Sequence, residues 1–179
     1  SDVCSSDLLE APALQNANGG NVTLSNVEVT AISRAIDNRG TLNATDTTIQ
    51  SNGRAAIYNI STFNYNGGSI TAGSAIDSIG IENEIDGSIY LNGTQVNANG
   101  ATAIENRGRL EVTNTTSIEA DRAIINIETG SVRIMDSTIT GSGDGTALIE
   151  NRGTLNVDSN GNPFLEEHYI KILLEGNLV

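Results

Sequence analysis

The feature that most constrains this fold is a ten-residue phrase that occurs three times. It reads Ala-Ile-Glu-Asn-Arg-Gly-Arg-Leu-Glu-Val at residues 103–112, with close copies at 35–44 and 148–157 and weaker copies at four other asparagines. The aligned asparagines are spaced by 20 to 25 residues (38 − 18 = 20 and 151 − 126 = 25). This short, irregular period is typical of a solenoid rather than a coiled coil. The aligned positions are Asn18, Asn38, Asn59, Asn83, Asn106, Asn126 and Asn151.

Each repeat contains three short stretches in which apolar residues alternate, which indicates three strands. One stretch ends at the asparagine, as in residues 56–59, and a second follows the next glycine, as in residues 110–112. The third begins at a threonine or serine, as in residues 47–49. Three strands and three corners form one coil of a parallel β-helix. We therefore predict an all-β, right-handed parallel β-helix over residues 9–162, with about seven coils of three strands each.

The fixed position of the asparagine predicts a hydrogen-bonded ladder. In a parallel stack each position repeats about 4.8 Å along the axis, so identical inward amides can bond one another from coil to coil. The alternative is that asparagine merely favours tight turns. The ladder is the better interpretation, because turn preference explains the frequency of asparagine but not its constant place in the repeat. We expect all seven aligned asparagines to be its members.

The repeated Ala-Ile-Glu-Asn-Arg-Gly-Thr/Arg-Leu-x-Val motif, followed by Thr-x-Ile, resembles the coils of pectin-lyase-like right-handed β-helices. It is most similar to the passenger domains of bacterial autotransporters and related surface adhesins. The resemblance covers roughly residues 16–162 and informs fold better than function. It implies a bacterial, extracellular or cell-surface protein, attached to the outer membrane if it is an autotransporter. It also implies flanking domains of a longer protein, and a host glycan or matrix protein as partner.

Both ends of the chain depart from the repeat. Residues 1–8 match no coil, lack the features of a signal peptide and resemble a translated sequencing adapter, so we expect a non-native tail. The only cysteine, Cys4, lies there, so neither a disulfide nor a thiolate metal cluster is expected. Residues 163–179 follow the seventh repeat. They are expected to form either a short capping helix or a further coil, whose anchor would be Asn177.

Composition argues against several classes of partner. The chain carries 22 acidic and 9 basic residues, a net charge of −13, and the basic residues form no stripe. Nucleic acid is therefore an unexpected partner. No apolar run approaches the length of a membrane span, so no insertion by this segment is expected. His168 is the only histidine, and we expect neither a histidine metal cluster nor a cofactor.

The residue before each asparagine supplies the one candidate for catalysis. These residues are expected to stack in an outward row, which places Glu82 and Glu105 about 5 Å apart, near the carboxylate separation of a retaining glycosidase. The alternative is a solvated face, on which Arg107 and Glu84, one position after the asparagine, reduce the repulsion between like charges. This alternative is favoured, because the insertions between repeats are too short to form the walls of a cleft. The row is Asp37, Tyr58, Glu82, Glu105, Ile125 and Glu150.

The predicted function is therefore a non-catalytic adhesin or passenger stalk without hydrolase or lyase activity. The runner-up is a carbohydrate-active enzyme, such as a polysaccharide lyase, a glycosidase or a fragment of a phage-type depolymerase. The third hypothesis is a purely structural spacer. Two weaker patterns favour plain structural roles: residues 141–145 resemble a calcium-binding turn in a single copy, and Thr47, Thr94 and Thr116 could suggest an ice-binding face but also suit strands.

Overall fold

The structure, a computed structural model, describes residues 11–73, 78–141 and 147–158, together with two strands at 172–174 and 177–178. Within these residues the chain forms strands and no helix, and every pair of strands is parallel. The strands are β1 (Leu14–Asn16), β2 (Asn21–Ser25), β3 (Glu28–Ala31), β4 (Arg34–Asn38), β5 (Thr41–Thr45), β6 (Thr48–Ser51), β7 (Ala55–Asn59), β8 (Thr62–Asn66), β9 (Ser69–Thr71), β10 (Ile79–Asn83), β11 (Ser88–Asn92), β12 (Gln95–Asn106), β13 (Arg109–Thr113), β14 (Ser117–Asn126), β15 (Ser131–Met135), β16 (Thr138–Thr140), β17 (Ile149–Asn151), β18 (Thr154–Asp158), β19 (Ile172–Leu174) and β20 (Asn177–Leu178).

The strands wind around three faces, and each pairs with the strand one turn later. The ladder face contains β1, β4, β7, β10, β17 and the C-terminal parts of β12 and β14. The second face is the eight-stranded sheet β2-β5-β8-β11-β13-β15-β18-β20. The third face contains β3, β6, β9, β16 and the N-terminal parts of β12 and β14. The predicted all-β parallel β-helix is confirmed.

Two details of the predicted coil are wrong. The solenoid has about six turns rather than seven, because seven successive ladder positions enclose only six intervals. The prediction of three separate strands in every coil also fails in two coils. There β12 and β14 run through the corner from the third face to the ladder face, which joins these faces into one 12-stranded sheet.

The core is a narrow column of stacked aliphatic side chains, as the low aromatic content indicates. Each face contributes a main inward row whose members are at most 1% exposed, and the second face adds a further buried row of Ala44, Tyr65, Leu91, Val112 and Ile134. Burying each such side chain contributes about 1.5–3 kcal/mol, so the column is the main source of stability. The rows are Ile36, Ile57, Ile81, Ile104, Ile124 and Ile149 on the ladder face; Leu42, Phe63, Ile89, Leu110, Val132 and Leu155 on the second face; and Ile49, Ile70, Val96, Ile118 and Ile139 on the third face.

One large aromatic residue, Tyr65, is accommodated by two small residues. Its neighbour on the preceding coil is Ala44. The inward position at the next corner is Thr47 on the preceding coil and Gly68 on the coil of Tyr65. The Tyr65 hydroxyl donates to the carbonyls of Ser69, at 3.0 Å, and of Thr47. A Cβ on Gly68 would lie 2.8 Å from that hydroxyl oxygen, so the phenol fills the space that a threonine side chain would take.

The last two strands extend both sheets in register. Asn151 lies opposite Leu174, and Thr154 lies opposite Asn177. Residues 172–174 are therefore strand rather than the helix of the capping alternative. The position that continues the ladder is Leu174, and the expected anchor Asn177 lies three residues later, beyond the corner. The other residues of 163–179, with His168, and the tail at 1–8, with Cys4, lie outside the described residues.

Candidate functional site

The asparagine ladder is present, and it runs without interruption from Asn16 to Asn151. Six consecutive bonds of 2.7–2.8 Å join an amide nitrogen on one coil to the amide oxygen on the next. The second N–H of an amide bonds the backbone of the corner, as from Asn106 to the carbonyl of Gly108 at 3.0 Å. The amides from Asn16 to Asn126 thereby donate both to the next amide and to backbone carbonyls, and Asn151 donates to the carbonyl of Gly153. The ladder members are Asn16, Asn38, Asn59, Asn83, Asn106, Asn126 and Asn151, all 2% exposed or less.

One predicted ladder residue is wrong, because Asn18 is exposed in a turn and its place is taken by Asn16. The corner after Asn16 is longer than most: β2 begins five residues later (21 − 16 = 5), whereas β5 begins three residues after Asn38 (41 − 38 = 3). The same longer corner follows Asn83 and Asn126. Aligning the first repeat with those two copies identifies Asn16 from sequence.

The residues that precede the ladder asparagines stack in one row, as predicted. We call this set the outer row. The strand register places Glu82 directly opposite Tyr58 on one side and Glu105 on the other. The two candidate catalytic glutamates are therefore adjacent on successive coils. The outer row consists of Gln15, Asp37, Tyr58, Glu82, Glu105, Ile125 and Glu150.

Arginines from the same repeats neutralise three carboxylates of the outer row. Side chains two residues apart on a strand share a face, so the acid before a ladder asparagine and the arginine after it meet outside the coil. Arg39 Nε donates to Asp37 Oδ1 at 3.1 Å, and this hydrogen bond raises the pKa of Arg39. Glu105 pairs with Arg107 in the same manner, as Glu150 does with Arg152. The acid-Asn-Arg motif thus encodes both the ladder and an external ion pair.

Glu82 has no arginine two residues later and is compensated from a distance. The Arg34 guanidinium lies 4.4 Å above the centre of the Tyr58 ring, and its Nη2 is 3.8 Å from Glu82 Oε2. Burial, together with the charges of Glu84 and Glu82, raises the pKa of Tyr58. The sequence pattern does not indicate Arg34, because its contact with Glu82 spans two coils.

The expectation that both glutamates are fully solvated is wrong. Glu82 is only 8% exposed, and Glu105 is half-buried. Side chains that flank the outer row cover it: Arg107 contacts Glu105 and also lies 3.6 Å from Glu84. Glu82 Oε2 is buried without a hydrogen-bond partner. A sugar bound at this pair would have to displace the arginines, so the arrangement favours a charge-compensated surface over an open catalytic cleft.

The weaker sequence patterns receive structural explanations. Thr47, Thr94 and Thr116 are fully buried, which excludes them from an ice-contacting surface. Of the possible calcium turn at 141–145, residues 142–145 lie outside the described residues. In the described ranges, no three cysteine, histidine or acidic side chains are grouped as a metal site.

Comparison with known proteins identifies no relative. No protein-family model, curated protein or solved structure matches this chain. In the part of the chain that the structure describes, no helix is long and apolar enough to cross a membrane. Function must therefore be argued from the solenoid and its surface chemistry.

Proposed function

We propose that this chain is a non-catalytic section of a bacterial cell-surface or secreted protein, acting as an adhesive passenger stalk. The observation that supports this function best is the unbroken asparagine ladder. It links every turn by buried side-chain bonds, and six turns at about 4.8 Å make a rod of about 29 Å. A solenoid stiffened in this way holds its faces in fixed register, which suits display of a binding surface away from a cell.

The surface is better suited to contact than to catalysis. Within the described residues its three faces present repeated outward positions on regular strands. The carboxylates that could catalyse a reaction are already engaged: Glu105 by Arg107, and Glu82 by Arg34. The resemblance of the acid-Asn-Arg-Gly repeat to passenger domains supports the same function and a location outside the cell.

A polysaccharide-acting enzyme is the second candidate, and one observation favours it. Glu82 and Glu105 lie directly opposite each other, and Glu82 Oε2 has no hydrogen-bond partner. The test is to incubate the purified chain, and its Glu105→Gln variant, with acidic and neutral polysaccharides while measuring new reducing ends and unsaturated products. We expect no turnover by either protein. Turnover by the unaltered chain that disappears in Glu105→Gln would establish the enzyme and overturn the proposal.

A structural spacer that binds nothing is the third candidate. It is separated from an adhesin by an array of host glycans and matrix proteins probed with the folded chain. Saturable binding to any of them supports the adhesive stalk. A negative array from a sample whose circular dichroism shows intact β-structure favours the spacer.

A further inference from the structure

The outward surface of the second face has two chemically different halves. On β2, β5 and β8 it carries neutral hydroxyls and amides, and Asn64 donates to Asn43 at 2.8 Å. This half carries no charged side chain at its outward positions. From β11 to β18 the equivalent positions also include charged and aromatic residues, namely Tyr90, Arg109, Glu111, Arg133 and Asp158.

An open groove of about 460 Å³ lies across the charged half. It crosses the successive strands β13, β15 and β18, so it follows the axis of the stack. Two exposed arginines, Arg109 and Arg133, line it, and Ser131, Thr154 and Asn156 supply hydroxyl and amide groups between and beyond them.

The two arginines share a single carboxylate. Arg109 Nη2 lies 3.1 Å from Glu111 Oε2, and its guanidinium is 5.5 Å from the centre of the Tyr90 ring, so two neighbours hold it in place. Arg133 Nη1 lies 4.0 Å from Glu111 Oε1, which is too far for a hydrogen bond. Within the described residues the N–H groups of Arg133 have no protein acceptor. In the part of the chain that the structure describes, the groove lining therefore holds two arginines and no acid on a chain whose net charge is −13, and Glu111 and Asp158 lie beside it on the same outward surface.

We propose that this groove binds an acidic glycan, a polysaccharide that bears carboxylate or sulfate groups. Guanidinium groups match the geometry of such anions and bind them through paired hydrogen bonds. Arg109 and Arg133 are diagonal neighbours on adjacent coils. One coil spacing and two residues of strand place their Cα atoms about 8 Å apart, so successive acidic groups of one chain can reach both. The inference rests on the proposed adhesive function and names its ligand class.

The lining distinguishes a glycan from an acidic peptide. Peptide recognition usually depends on a few apolar or aromatic anchors buried in pockets. The exposed lining here consists of Arg109, Ser131, Arg133, Thr154 and Asn156, all charged or polar. Hydroxyl and amide side chains of this kind can bond sugar hydroxyls along an open groove.

The experiment measures binding of the full chain to three defined probes by isothermal titration calorimetry. These are a heparin oligosaccharide, which is sulfated, a polygalacturonate oligosaccharide, which is carboxylated, and a neutral dextran oligosaccharide. We expect an acidic probe to bind and dextran not to bind. Arg109→Gln and Arg133→Gln should each weaken binding at least about tenfold, the loss that corresponds to one charge-assisted hydrogen bond. Arg152→Gln, an exposed arginine of the ladder face, makes the same charge change and should alter affinity less than about threefold.

A second pair of variants tests the shared carboxylate. Glu111→Gln frees both arginines and should strengthen binding, whereas Glu28→Gln on the third face has the same charge change and should leave the affinity unaltered. Urea midpoints close to that of the unaltered chain establish that each variant is folded.

Several outcomes would contradict the proposal that the groove binds an acidic glycan. Equal losses of affinity in Arg133→Gln and Arg152→Gln would mean that the acidic probe is attracted by diffuse positive charge rather than by the groove. Unaltered affinity in both Arg109→Gln and Arg133→Gln would place the binding site elsewhere and leave the adhesive function intact. Tighter binding of polyglutamate than of either acidic oligosaccharide would favour a protein partner. Failure of both acidic probes rejects the groove alone, and the adhesive function fails only if the wider glycan and matrix array is also negative.

Discussion

The two polar corners inside the coil use different hydrogen bonds. At the asparagine corner, between the ladder face and the second face, each amide bonds the identical amide on the next coil. At the opposite corner, which we call the hydroxyl corner, the side chains bond backbone carbonyls. Thr116 Oγ1 donates to Thr113 at 2.7 Å, and Ser137 Oγ donates to Met135 at 2.7 Å. Among the described residues, no hydroxyl at this corner bonds another hydroxyl.

This difference explains why one corner is uniform and the other varies. A ladder asparagine depends on the residue type above and below it, so a replacement also affects both neighbours. A backbone carbonyl is present whatever the sequence, so each coil can change its hydroxyl independently. The asparagine position is accordingly the same in seven successive coils, before Leu174 takes the next position, whereas the hydroxyl corner reads Val27, Thr47, Gly68, Thr94, Thr116 and Ser137.

The largest effect is expected from breaking the ladder at its centre. Asn106→Leu removes the ladder donor to the Asn126 amide oxygen and an acceptor of the Asn83 amide. Because buried groups left unpaired cost about 1–3 kcal/mol each, we expect a loss of about 2–5 kcal/mol in the free energy of unfolding, measured in urea. Asn18→Leu, at the exposed turn, is the control and should change stability by less than about 0.5 kcal/mol. Similar losses in both variants would contradict the ladder as a source of stability.

A smaller effect is expected at the hydroxyl corner. Thr116→Val keeps the shape of the side chain and removes its bonds to the carbonyls of Thr113 and Leu91. It also removes the acceptor of the buried Thr94 backbone N–H, which lies 3.3 Å from Thr116 Oγ1. The lost hydrogen bonding should cost about 1–2 kcal/mol of unfolding free energy. A cost as large as that of Asn106→Leu in the same urea series would remove the distinction between the corners.

The smallest effect at neutral pH should come from Tyr65→Phe, which removes the hydroxyl that fills the Gly68 position and should cost about 0.5–1 kcal/mol. The pH dependence sharpens this test. Burial raises the pKa of Tyr65 well above its ordinary value of 10.0, so the native state holds the phenolic proton more firmly than the unfolded chain. The associated stability is complete below about pH 10 and is lost as pH rises further. From about pH 9 to about pH 11 the urea midpoint should fall more steeply for the unaltered chain than for Tyr65→Phe. Equal slopes would refute this role of burial.

The repeat was sufficient to predict the fold class, the ladder and the stacking of the outer row. All three follow from one rule, that equivalent positions of successive coils lie on top of one another. The misplacement of Asn18 arose because the first corner is two residues longer, a feature that the copies at Asn83 and Asn126 also contain. The pairing of Asp37 with Arg39 could also have been predicted, because side chains two residues apart on a strand lie on the same face.

Contacts that skip a coil or cross it diagonally could not be predicted from the repeat. Arg34 reaches Glu82 over Tyr58, and Arg109 lies diagonally across from the Tyr90 ring of the preceding coil. Such contacts depend on which rotamer a long side chain adopts on the outer surface, and the position of the residue in the repeat does not fix that choice. For the same reason, the conformations of Arg109 and Arg133 in the groove could not be predicted from the repeat.

The central claim is that stability at the asparagine corner is shared between coils, and a pair of double-mutant cycles tests it most directly. One cycle combines Asn83→Leu with Asn106→Leu, and the other combines Thr94→Val with Thr116→Val, all measured by urea unfolding. Once Asn106 is gone, its bond with Asn83 is already lost, so the asparagine pair should show a coupling energy of about 1–3 kcal/mol. The threonine pair should show less than about 0.5 kcal/mol. Additive losses at the asparagine pair, or equal coupling at both corners, would contradict the claim.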